Sequence, residues 1–227
     1  MPFTPNDLHH NFSQKFFELY PLYEEVKKIV LLAEYENKEQ KYVISSVNEL
    51  RNMLDHIMRS IDKPESLNAN FDKAKGHLYR AGYDGYEIVV VSKLSEIKQL
   101  KEEFLHEAII EAYPKYYSHV IPAVQKAKKE LIEARAYKKI DNGDNNAGAE
   151  EAHFVQFESI ATELMRIVDD INLHIEGIKE AHKNIKRRRR NNIIFLCILI
   201  PIIIGIILLL VEYTFFNQAQ VPISGGV

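Results

Sequence analysis

Residues 48 to 60, NELRNMLDHIMRS, bring Arg51, Asn52 and His56 close together in the chain. An imidazole can take or give a proton near neutral pH, and a guanidinium can hold a phosphate through two parallel N–H groups. Together they raise the question of whether this stretch does chemistry or only keeps one side of a helix wet. Geometry restricts this chemistry, because residues five apart on a straight α-helix point about 140° from each other. Arg51 and His56 would therefore need a partner helix, a second subunit or a helix end to meet on one phosphate. The plainer account is an amphipathic helix. On a helical wheel Val47, Leu50, Met53, Leu54, Ile57, Met58 and Ile61 share one side, which should be buried, while Asn48, Glu49, Arg51, Asn52, Asp55, His56 and Arg59 share the solvated side.

A second constellation, His77, Arg80, Asp84 and Glu87, is spaced three, four and three apart and forms one stripe of a helix. Arg80 can pair with Asp84 as part of a surface ladder worth tenths of a kcal/mol. Alternatively, the stripe faces Asn52, Asp55, His56 and Arg59 of the preceding helix and makes a polar cleft suited to an RNA phosphate or a nucleotide. A metal held by His56, His77, Asp84 and Glu87 ranks behind both. No metal and no cofactor is expected, since the chain has no Walker motif, no GxSxG and a single cysteine, Cys197.

The run Arg51-Asn52-Met53-Leu54-Asp55-His56 resembles the Arg, polar residue, then His pattern of the HEPN domain family. That resemblance implies an all-helical bundle and a metal-independent ribonuclease of bacterial stress or phage defence, with the Arg and His of two subunits meeting at a dimer cleft. Carried over residue by residue, it would make His56 the general acid or base, Arg51 the phosphate clamp and Asn52 their polar neighbour.

The elements that must position these residues read as helices throughout. Phe12, Phe16, Leu19, Leu22, Tyr23, Val26, Ile29, Val30 and Ala33 recur at three and four, predicting a helix over 7–38 that Pro21 kinks or divides. A second helix covers 41–62 and closes at Asp62-Lys63-Pro64. The third, from about Ser66 to Phe104, contains Gly76, Gly82 and Gly85. Its residues Phe71, Ala74, Leu78, Ala81, Gly85, Ile88 and Val89 fall on one arc, so the glycines read as points of close helix approach. A fourth is expected over about 107–139, bent or interrupted at Pro114 and Pro122, and 140–150 (IDNGDNNAGAE) reads as a loop. Over 151–190, Phe157, Leu164, Ile171 and Ile178 stand seven apart with Ile160, Ile167, His174 and Ala181 between them, a heptad seam. His174 there is either a register-setting, pH-sensitive group of a dimeric coil or a histidine tolerated near a fraying seam.

From Ile193 to Val211 the chain is uncharged and apolar. At about 1.5 Å per residue it approaches the roughly 30 Å hydrocarbon core of a bilayer, so it reads as a transmembrane helix. Lys186, Arg187, Arg188, Arg189 and Arg190 stand immediately before it and no Lys or Arg follows, which by the positive-inside rule places residues 1–192 in the cytoplasm. The N-terminal residues lack the pattern of a signal peptide, so the protein is expected to be tail-anchored, most simply in a bacterial inner membrane. Setting aside the basic run and Glu212 leaves 24 basic against 31 acidic residues, a net charge of −7 with His neutral. A body of that sign does not gather nucleic acid by bulk attraction, so any RNA site must be a local patch.

The expected architecture is thus all-α. A cytoplasmic bundle of four or five helices over 1–139 and a loop over 140–150 precede a coiled-coil-like helix over 151–190. A transmembrane helix over 193–211 and a short exterior tail over 212–227 complete it. The expected partners are anionic lipid headgroups at the basic run and a second copy through the seam or the span, with RNA as a possible ligand. Two functions fit: an anchored interaction or sensor module, and a membrane-tethered HEPN-like ribonuclease.

Overall fold

A computed structural model describes residues 5–37, 43–140 and 147–218, and these are all-α, with no strand among them. Six α-helices follow one another: α1 (Pro5–Glu36), α2 (Val43–Asp62), α3 (Leu67–Glu103), α4 (His106–Ala112), α5 (Ile121–Ile140) and α6 (Ala147–Gln218). α1 continues through Pro21, so the expected division there does not occur. The helix expected over 107–139 is interrupted instead. Pro114 ends α4 near Tyr113, and a π-helical turn over Tyr116–Val120 leads into α5 just before Pro122. Proline has no N–H to give and crowds the carbonyl one turn back, and a widened turn is a common way of absorbing that fault.

α3 is the axis of the fold. Phe12 meets Phe71, a methyl on Gly82 would lie 3.2 Å from Val26, and Ser92 donates to the Glu36 carbonyl, so α1 runs parallel to α3. Glu49 meets His77 and Arg80 while His56 meets Asn70, so α2 runs antiparallel. Tyr83 stacks on Phe157 and Phe104 on His182, which makes α6 parallel as well. α5 closes the remaining side through Arg135 Nε, 2.7 Å from Glu87. Enclosed in this way, α3 buries every residue from Ala81 to Tyr86, together with Ile88, Val89 and Val90.

Gly82 and Gly85 serve close approach, as the sequence predicts, whereas a Cβ on Gly76 would meet only Arg80 Nη1 at 3.9 Å. A Cβ on Gly82 would overlap the Phe154 ring, and one on Gly85 would lie 2.9 Å from Ile29 Cγ2. The seam of α6 is covered from within the chain: Phe157, Ile160, Leu164, Ile167, Ile171, Ile178 and Ala181 are all buried against the bundle. The apolar heptads therefore do not call for a second copy. α6 also begins at Ala147 and so takes in the last four residues of the expected loop. The other loop residues beyond Ile140 lie outside the described residues. At about 1.5 Å per residue its 72 residues extend roughly 108 Å. The stretch long and apolar enough to cross a membrane is the C-terminal part of this same helix, and none of it is buried by the rest of the chain.

Gly82→Ala should lower stability by about 1–3 kcal/mol through overpacking against Phe154. Gly76→Ala, whose methyl meets only Arg80 Nη1 at 3.9 Å, should leave stability unchanged or raise it by up to about 1 kcal/mol. Urea unfolding of the detergent-solubilised full chain, followed by circular dichroism, measures both.

Candidate functional site

The polar residues that converge lie where α2, α3 and the first turn of α6 meet. Arg80 donates from Nε to Glu49 Oε2 at 3.0 Å and from Nη1 to Glu150 Oε1 at 2.6 Å, joining three helices through one guanidinium. His77 Nδ1 lies 2.7 Å from the same Glu49 oxygen. A carboxylate at that distance requires the proton on Nδ1, so the ring donates to Glu49, and the 2.9 Å approach of Arg80 Nη2 to Nδ1 is proximity between two donors. The His56 ring stacks on His77 with centroids 5.2 Å apart. His56 Nδ1 donates to Asn70 Oδ1 at 3.1 Å, and Asn70 Nδ2 donates to Ser66 Oγ at 2.8 Å.

Burial would raise the Glu49 carboxyl, but the hydrogen bonds and charge of His77 and Arg80 outweigh it and hold the carboxyl below the ordinary range. Burial likewise works against the Arg80 charge, and Glu49 with Glu150 overcomes it. For His56 burial is the largest influence and lowers its pKa. The Asn70 hydrogen bond opposes that shift, and the charges of His77, Arg59 and Lys73 add to it. His56 is therefore neutral at pH 7, with Nε2 as its basic nitrogen. Burial first, then the Glu150 charge, pushes the Tyr83 hydroxyl far above its ordinary value.

The structure gathers only part of the expected set. His77 and Arg80 of the α3 stripe do meet α2, through Glu49 and His56. Asp55 and Arg59 pair with each other at 2.6 Å on the exposed side of α2, away from the cleft expected of them. Asp84 is buried, and Glu87 turns to Arg135 of α5. Asn52 is half-buried and Arg51 exposed, so within one chain Arg51 stays apart from His56 and its neighbours. The expected orientation of α2 is corrected too. Its buried residues are Ser46, Met53, Ile57 and Ser60, and Val47, Leu54, Met58 and Ile61 face solvent. The helix is turned because Glu49 and His56 are drawn inward by Arg80, His77 and Asn70.

Spacing at 49, 52 and 56 marks Glu49 as a neighbour of the histidine face, a signal available in the sequence but outweighed by its place on the polar side. Glu150 carried no signal, since it reads as loop. A second cluster also escaped sequence reasoning. Tyr113 donates to the Asp170 carboxylate, His119 Nδ1 lies 3.8 Å from that oxygen, and His174 stacks on Tyr113 with centroids 4.2 Å apart. His174 Nδ1 donates to the Asp170 carbonyl at 2.8 Å, so this seam histidine is engaged inside its own chain. Burial, and then the bond to Asp170, pushes the Tyr113 hydroxyl up to about 12, which keeps it protonated and acting as a donor.

Chemically, the α2–α3–α6 cluster is a clasp. Its two carboxylates already occupy Arg80, so that guanidinium is not free to hold a phosphate. Among the described residues no group of three or more His, Cys, Asp or Glu is arranged to hold a metal.

Glu49→Gln should cost about 1–3 kcal/mol at pH 7, since it leaves Arg80 and His77 half-buried and short of a charge partner. Because the folded pKa of Glu49 is depressed, that difference is full above the unfolded value of about 4.5 and shrinks as pH falls through the folded one. Chemical unfolding at pH 7 and pH 3.5 checks both statements. The lowered pKa of His56 acts near neutrality: the unfolded chain binds the proton first, so stability falls as pH drops from about 6.5 toward the folded value. His56→Gln should flatten that decline in melting temperature between pH 7 and 5.5.

No family model, no curated protein and no solved structure matches this chain.

Proposed function

We propose that the protein is a single-pass, membrane-anchored helical module that works by interaction on the cytoplasmic face of its membrane, a bacterial inner membrane being the simplest setting. The observation that carries this reading is the continuity of α6. One helix contributes the seam of the bundle and then, without a break, the apolar segment long enough to cross a bilayer. A bundle joined rigidly to its span is held at a set distance and orientation from the lipid. The exposed Lys186 to Arg190 run sits at the junction, where anionic headgroups contribute about 1 kcal/mol per basic residue. Arg189 also pairs with Glu107 of α4 at 2.8 Å, and His182 Nδ1 accepts the Leu105 N–H at 3.0 Å, so the connection between α3 and α4 is fastened just above the basic run.

A membrane-tethered, metal-independent ribonuclease is the second reading. It is favoured by the neutral ring of His56 with a free basic nitrogen and by the exposure of Arg51. It requires two copies, because the two side chains diverge from one helix.

The full chain should stay with membranes through alkaline carbonate extraction, and deletion of residues 193–211 should release it. Replacing Lys186 to Arg190 by Gln should reduce the fraction of chains whose bundle is exposed to protease in inverted vesicles. For the second reading, the purified full chain is incubated with RNA in EDTA. Cleavage abolished by both Arg51→Ala and His56→Ala establishes the nuclease, and no cleavage by folded protein leaves the interaction module.

A further inference from the structure

α2 exposes an apolar stripe that no part of the described chain covers. Ile44, Val47, Leu54, Met58 and Ile61 are each at least half exposed and recur at the three-and-four spacing of a packing face, with Arg51 completing the series. α1 has a stripe of the same kind. Phe16, Phe17, Tyr20, Leu31 and Tyr35 are exposed, Phe17 by 79% and Tyr35 by 83%, with Glu24 among them on the wheel. The stripe is centred about 140° from the buried face on α1 and about 115° from it on α2.

The two stripes turn to the same side. α3 meets α2 through Asn70, His77 and Arg80, and meets α1 through Phe71, Gly82 and Gly85. These positions are centred about 125° apart around α3. α1 runs with α3 and α2 against it, so their wheels turn in opposite senses, and following both brings the stripes to one direction. The result is an apolar face made by two helices, with α3 behind them.

We propose that this face is the interface with a second copy of the chain, α1 of one copy packing against α2 of the other around a two-fold axis parallel to the helices. Three features select a copy as the occupant. First, α1 and α2 are antiparallel, so a two-fold along them makes every neighbouring pair in the resulting bundle antiparallel. Second, that axis keeps both α6 helices pointing the same way, so both spans enter one membrane from one side. This point rests on reading α6 as the anchor. Third, charge is complementary. Arg51 lies at the level of His77, and hence of Tyr20, while Glu24 lies one helical turn along α1, roughly 6 Å away. Across the axis Arg51 of each copy therefore reaches Glu24 of the other, which among the described residues pairs with Lys27 of its own helix at 3.6 Å. Arg51 is then a polar residue in an apolar seam that sets register.

The test uses the full-length chain with Cys197→Ser, in native membranes and in detergent. Copies bearing Phe17→Cys and copies bearing Leu54→Cys, tagged differently and co-expressed, should form a disulfide-linked heterodimer. Copies bearing Phe17→Cys with Leu173→Cys, on the exposed side of α6 far below this face, should not. In detergent, Leu54→Asp with Met58→Asp should convert the dimer to monomer at unchanged helicity, since both positions are exposed. Arg51→Glu should weaken dimerisation about tenfold, and adding Glu24→Arg should restore it. The proposal is overturned by linkage as strong at Leu173 as at Leu54, by dimers that persist in the Asp double variant, or by a monomer at every concentration with no linkage in membranes. A chain extracted by carbonate yet still dimeric through this face would remove the anchor and keep the interface, so the two readings fail separately.

Discussion

Six consecutive residues of α3, Ala81 to Tyr86, are buried, and a helix can bury six in a row only if neighbours close on it from every side. The other helices are arranged by that requirement. α1 and α6 approach at Gly82, where a single methyl would strike Phe154 and crowd Val26. α1 comes close again at Gly85, against Ile29. Tyrosines fill the wider gaps, with Tyr79 and Tyr86 tilted on Phe154 and Tyr83 stacked on Phe157. Small residues on one side and large rings on the other let α3 pack against α1, α2 and α6 at once, while α4 and α5 lie along α6.

The same enclosure explains why the polar cluster forms. Arg80 stands at the edge of the buried run, where its charge would be costly without compensation, and Glu49 and Glu150 supply it from two different helices. Satisfying Arg80 turns α2 so that Glu49 and His56 face inward, and Leu54, Met58 and Ile61 are left at the surface. The clasp and the exposed stripe are thus two consequences of one rotation. A residue such as Arg51, which would belong on a solvated face, comes to lie in an apolar one.

The part of the molecule nearer the apolar segment of α6 is organised by a break in the chain. Pro114 and the π turn let α4 and α5 fold back along α6, bringing Tyr113 onto Asp170 and His174 and leaving Glu107 beside Arg189. In this way the long helix is braced by side chains along its length up to the point where it becomes wholly apolar.

Much of this was determined by the sequence alone. The periodicity of Phe12 to Ala33, the arc from Phe71 to Val89 and the heptads from Phe157 to Ala181 specify helices and most of their buried faces, because apolar spacing is a local property of the chain; Phe16, in the first series, is instead exposed. The length and apolarity of 193–211 are local too, as are the prolines that interrupt 107–139. Tertiary structure decided what covers each face. The α6 heptads suit a second copy as well as they suit α3, α4 and α5, and only the fold shows the latter filling them. α2 contains enough apolar residues to bury either of two overlapping arcs. The choice fell to Arg80 and His77, which lie 31 and 28 residues from Glu49, and to Glu150 in a stretch with no helical signal. Electrostatic satisfaction of a half-buried arginine depends on which carboxylates the fold brings within reach, and spacing along one helix does not contain that information.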